Sequence, residues 1–122
     1  MSKEEQTSDE DLIFKQYQGK ETLYPIYKAL TKQLLTFGND VLIVPKKSSV
    51  SIIRKRQFAL IKPATKTRID LGLKLSGKAN TDRLGNSGPF GSMCTHRVRI
   101  SSIEDVDQEL TNWLLEAYHG SV

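Results

Sequence analysis

The sequence contains a single cysteine, Cys94, and two histidines, His96 and His119. One thiol rules out an intramolecular disulfide, and one Cys with two His matches none of the spacings of a metal centre, so neither a metal nor a cofactor is expected. No apolar run approaches the roughly 20 residues that span a bilayer, which leaves no reason to expect a membrane partner. The opening "MSKEEQTSDEDL" is acidic and polar, where a secretory leader needs a basic end and an apolar run. With the lone thiol, this places the expected compartment in the cytoplasm. Aromatic residues are only 7% of the chain. They fall on core stripes and helices rather than on outward strand positions, so recognition by stacking nucleobases on a sheet is not expected.

Acidic side chains are nearly missing from the middle of the chain. Residues 46–99 carry 13 basic and 2 acidic side chains, against a net charge of −2 for residues 1–45 and −5 for residues 100–122. The total of +4 therefore hides a segregation along the sequence. At 122 residues the chain fits one domain. A tail is expected over 1–7, an N-terminal helix over 8–19 and the remaining globular core over 22–119.

Ser8 with Asp9, Glu10 and Asp11 suits a helix start, and Gly19 its end. A second helix is expected from Thr22, with Thr22 as cap and Pro25 in the first turn. Its apolar positions Leu23, Ile26, Tyr27, Leu30, Leu34 and Phe37 recur at helical spacing. Strands follow in "VLIVP", around Val50–Ile53 and in "QFALIKP". In "RIDLGLKL", Ile69, Leu71, Leu73 and Leu75 face a core, while Asp70, Gly72 and Lys74 face solvent. "HRVRI" repeats the alternation, with Arg97 and Arg99 outward. A last helix has Ser101 or Ser102 as its N-cap, with Ser101 and Glu104 at capping-box spacing, and Ile103, Val106, Leu110, Trp113, Leu114, Ala117 and Tyr118 as its buried stripe. Its acidic residues Glu104, Asp105, Asp107 and Glu109 suit the helix dipole, which explains them without a bound cation. The expected fold is α+β: a mainly antiparallel sheet of four to five strands, with two N-terminal helices and one C-terminal helix on one face.

Counting by twos along the strands, Lys74, Arg97 and Arg99 should share the face away from the helices, with Arg54, Lys55, Arg56 and Arg68, together with Lys62 and Lys66, extending the patch at the strand ends. Such a surface would attract an anionic partner, either nucleic-acid backbone or an acidic protein. The alternatives are a protein-interaction or self-association module, working through an edge strand or the long glycine loop at 76–95, and a small enzyme using Cys94 and His96. On an extended chain those two residues would point the same way. The loop fails the spacing of a phosphate-cradling Walker sequence and is expected to be a flexible connection. No catalytic residue is assigned, and the oligomeric state is left open.

The runs "VLIVPKKSSVSIIRKRQFALIKPA", "DLGLKL" and "HRVRISSIEDVDQELTNWLLEAY" resemble a bacterial domain of unknown function, family fifty-six fifty-five of that series, sometimes labelled a predicted transport protein. The resemblance spans roughly residues 22–119. It implies a domain that often forms the C-terminal piece of longer proteins, some of them similar to restriction or nuclease systems, with no established catalytic residues to carry over.

Overall fold

The computed structural model describes residues 8–122, so the tail expected over 1–7 lies outside the described residues. Helix α1 (Asp9–Gln16) starts where the Ser8 hydroxyl accepts from the Asp11 amide, and three acidic residues occupy its first turn. A 3-10 turn at Glu21–Leu23 leads into α2 (Tyr24–Leu35), which has Pro25 in its first turn, where no amide donor is needed. Thr22 lies inside that 3-10 turn and caps nothing, because the helix begins later than the cap expected from sequence.

Six strands follow, one or two more than expected: β1 (Leu42–Pro45), β2 (Val50–Arg54), β3 (Arg56–Pro63), β4 (Ile69–Leu73), β5 (Gly85–Asn86) and β6 (His96–Ile100). They form one sheet in the order β1-β2-β3-β4-β6-β5, and every neighbouring pair is antiparallel. Lys55 makes the tight turn between β2 and β3 in the left-handed region, at φ 61°. A bulge between Ile52 and Ile53 leaves Phe58 opposite no residue, and its ring turns into the core against Tyr118.

Helix α3 (Gln108–Gly120) has Asp107 as its N-cap, whose carboxylate accepts from the Leu110 amide at 3.0 Å. The capping box exists, but it pairs Ser102 with Asp105 rather than Ser101 with Glu104, and it closes a 3-10 turn at Ile103–Asp105. That turn precedes the helix, which leaves Ile103 half exposed instead of in the buried stripe.

The main core lies between the helices and one sheet face. Leu30 and Leu34 of α2 and Leu110 and Leu114 of α3 meet Ile52, Ile61, Leu71, Leu73, Val98 and Ile100, all fully buried. Register places those strand residues side by side, so each strand contributes alternate residues to one layer.

The opposite face is not simply wet. All five residues of β4 are buried, including Asp70 and Gly72, which the alternation had assigned to solvent. The chain between β4 and β6 folds back over this face. Leu84 is pinned in the main core, β5 pairs with β6, and the segment Gly88–Met93 forms a ridge. Phe90 and Cys94 then make a small second cluster with Leu60. Gly72 permits this, because a Cβ there would sit 2.5 Å from Cys94 Sγ and 2.8 Å from Phe90 Cδ2. The segment expected as a flexible connection is instead an anchored cover.

Candidate anion-binding face

Asp70 is the electrostatic centre of the covered face. Its side chain is 1% exposed and lies between two guanidinium groups, Arg68 Nε at 2.9 Å and Arg97 Nη1 at 3.3 Å. A carboxylate this deeply buried needs such partners, since an unpaired buried charge is strongly destabilising. Gly88 lies against the other side of Arg97, and a Cβ at Gly88 would approach Arg97 Cζ to 2.6 Å. Arg97 is thus clamped between the ridge and Asp70.

Register sets Lys62, Asp70 and Arg99 in one row across β3, β4 and β6, with Gly72 and Arg97 in the next row. Lys62 and Arg99 therefore share the face of Arg97, as alternation requires. Lys74 follows β4 between Leu73 and Leu75, both in the main core, so alternation sets it on the side of Gly72, where its charge acts on the Cys94 thiol, and at the end of β4 it also borders a groove against Glu116 and Gly120 of α3. Among the described residues no protein group pairs with Lys62, Lys74 or Arg99.

A polar cleft of about 400 Å³ opens beside β5 and β6, lined by Asp82, Arg83, Gly85, Asn86, Arg97 and Arg99. Arg83 was not among the residues singled out from sequence. It bridges the cover to the start of α3, donating to both Asp107 oxygens at 3.0 Å, to Glu109 at 2.9 Å and to the Asp105 carbonyl. Its plane also lies near the Trp113 ring. The Leu110 amide, and then Arg83, hold the Asp107 carboxyl below the usual range. Arg99 is therefore the cation of this cleft left for a ligand.

The remaining sequence candidates lie elsewhere. Arg54 reaches around to the helical side, where it pairs with Asp40 at 2.9 Å, donates to the Tyr118 carbonyl and stacks on the Tyr118 ring at 4.1 Å. It is consumed structurally, because alternation from Val50 and Ile52, both in the main core, turns Arg54 to the helical side at the C-terminal end of α3. Arg56 lies at that same end, donating to the Val122 carbonyl at 3.4 Å and lining, with Lys74, a groove of about 340 Å³. Lys55 is an exposed turn residue.

Cys94 and His96 do not form a pair. Cys94 Sγ packs over Gly72 on the covered face, whereas His96 is in register with Leu73 of the main core. His96 Nε2 is 2.9 Å from the Lys78 carbonyl, which can only accept, so Nε2 carries the proton and Nδ1 faces the Thr95 hydroxyl at 2.7 Å. Both ring nitrogens are occupied. Burial pushes the Cys94 thiol up to about 11, away from the thiolate that nucleophilic chemistry requires. Among the described residues, no group of three or more His, Cys, Asp or Glu is placed to hold a metal, and no helix is long and apolar enough to cross a membrane.

A family profile described as "Domain of unknown function (DUF5655)" matches residues 13–121, taking in the second half of α1 as well as the span expected from the resemblance. Comparison with curated proteins and with solved structures found no match.

Proposed function

The chain belongs to the DUF5655 family of domains of unknown function, and we propose that it is a non-catalytic binding domain whose covered sheet face contacts nucleic-acid backbone. The observation that carries this reading is the common face of Lys62, Lys74 and Arg99, none of them matched by a protein carboxylate, around a cluster already neutralised by Asp70. Asp82 lines the cleft beside Arg99 without an ion-pair partner among the described residues, while Asp40, Asp107, Glu109 and Glu116 already pair with Arg54, Arg83 and Lys78. Phosphate is the fitting ligand chemistry, since the cations are spread rather than focused and each contact adds an independent counterion-release term. An acidic protein is the other partner of matching charge. The free thiol of Cys94 supports a cytoplasmic setting, where reducing conditions keep it so.

The experiment is a salt titration of binding to a short duplex and a short single strand, with Lys62→Glu/Arg99→Glu as the test variant. Arg97→Glu is unsuitable, because it would place a second carboxylate against buried Asp70 and unfold the site for structural reasons. The double variant should keep its melting temperature and lose salt-sensitive binding. Unchanged binding in the variant, or no binding by the parent at low salt, removes this reading.

A second reading rests on β1. It is an edge strand bonded on one side only, and Leu42 on it is 57% exposed. Self-association through that edge would be apolar and would survive high salt. Sedimentation at several concentrations in 0.05 M and roughly 1 M salt separates the two.

A further inference from the structure

The ridge Gly88–Met93 divides the free cations of the proposed binding face into two sets. Phe90 anchors it from below, while Pro89, Gly91, Ser92 and Met93 stand exposed along it, with Met93 at 51%. On one side lie Lys62 and Arg99, in the row of Asp70. On the other lies Lys74, four residues further along the chain of β4. At the rise of a strand this separates the two sets by about 13 Å. The ridge sits over Gly72 and Arg97, the row between them. The result is an exposed, uncharged segment that carries Met93 and is flanked by cations on both sides.

A flat cationic face would suit a single strand, whose phosphates follow one line. Two cation rows straddling a ridge suit two lines of phosphate with a gap between them. The minor groove of B-form DNA is about 6 Å wide between the surfaces of its phosphate walls, so its phosphorus lines stand roughly 12 Å apart, close to the separation of the two cation sets, and Met is among the side chains that serve as apolar wedges there. The major groove is about 12 Å wide on the same measure, which sets its phosphorus lines roughly 18 Å apart, beyond the separation of the two cation sets. The minor groove of A-form RNA is wide and shallow, so a ridge gains nothing from it. No exposed aromatic on this face offers a stacking platform for unpaired bases.

Resting on the reading above, we propose that the partner is double-stranded DNA and that the Gly88–Met93 ridge enters its minor groove, with Lys62 and Arg99 on the phosphates of one strand and Lys74 on those of the other.

The test uses the full chain and fluorescently labelled probes of one length and sequence: an A·T-rich DNA duplex, its single strand, and the matching RNA duplex. The DNA duplex should bind at least about tenfold more tightly than either of the others, and netropsin bound in its minor groove should displace the protein. Met93→Ser should weaken duplex binding by about fivefold and leave the salt slope unchanged, since it removes an apolar contact only. Lys74→Ala should lower that slope by about one, as Arg99→Ala should. Equal or tighter binding to the single strand or RNA duplex, indifference to netropsin, or no effect of Met93→Ser overturns the inference. If those failures accompany salt-sensitive binding that Lys62→Glu/Arg99→Glu abolishes, the backbone-contact reading stands and only the groove assignment falls. If the parent binds no probe at low salt, both fall.

Discussion

Gly72→Ala tests the cover over the second sheet face, on which the whole candidate site depends. Glycine in a strand interior usually weakens it, and replacing it with alanine at a compatible φ gains about 0.4–1 kcal/mol by restricting the unfolded chain. Here the new methyl would meet Cys94 Sγ at 2.5 Å and Phe90 Cδ2 at 2.8 Å, inside the contact distance of either pair. Overpacking of that kind costs about 1–3 kcal/mol, so the expected net effect is a loss of about 1–2 kcal/mol. In a domain of this size that lowers the melting temperature by roughly 3–10 °C. Urea unfolding followed through Trp113, the one tryptophan, reports the global transition, because that ring lies in the main core. Cys94→Ala removes the nearest colliding atom, and in that background Gly72→Ala should cost at least about 0.5 kcal/mol less. The sign decides the matter. A neutral or stabilising Gly72→Ala would mean that nothing is seated on Gly72, and the ridge would lose its foundation, whereas an equal cost in both backgrounds would remove the Cys94 contact and leave Phe90 alone.

Two further outcomes follow from single groups. Asp40, held low by the Tyr118 hydroxyl and then Arg54, and Asp107, held low by the Leu110 amide and then Arg83, both have depressed folded-state pKa values. Their stabilisation is therefore fully present above the unfolded carboxylate pKa of about 3.9 and is lost as pH falls through the lower folded value. Melting temperatures recorded from neutral pH to about pH 2.5 should show an acid limb that flattens in Asp40→Asn/Asp107→Asn, and an identical limb in parent and variant would refute the assignment. Cys94, pushed up to about 11 by burial, should react with a thiol reagent at about pH 8 far more slowly in the folded protein than in denaturant. Fast native labelling with an ionisation near or below about 8.5 would instead return the Cys94 and His96 enzyme to consideration.

What was legible in the sequence was the local part. The alternation of Ile69, Leu71 and Leu73, repeated by Val98 and Ile100, encodes the inner face of β4 and β6, and the helical stripe of α2 encodes its burial. These patterns depend only on the period of each element. The phase that joins Arg97 to Arg99 comes from the same rule and holds here for the same reason. The caps of α2 and α3 were misplaced because each helix is preceded by a 3-10 turn that absorbs the cap-like residues Thr22 and Ser102. Arg54 follows the same rule: it is in phase with Val50 and Ile52 of the main core and so belongs to the helical layer, which grouping it with the other cations near the turn overlooked.

The cover was missed for a different reason, although its signals were present. Period-two reading treats each outward position as wet, but whether a face is wet depends on what returns over it, and that is a non-local fact. Four residues pointed to the return. Gly72 interrupts an otherwise strong strand, which marks close approach of other atoms. Asp70 stands among apolar neighbours with Arg68 two residues away, a spacing that gives one face both charges. Leu84 and Phe90 are large apolar residues inside a glycine-rich loop, and such residues need somewhere to be buried. Together they say that the loop must dock on β4 beside Asp70. Docking there explains why Arg97 and Arg99, equivalent by alternation, differ in use: the ridge and Asp70 take the first, and the second is left facing the cleft.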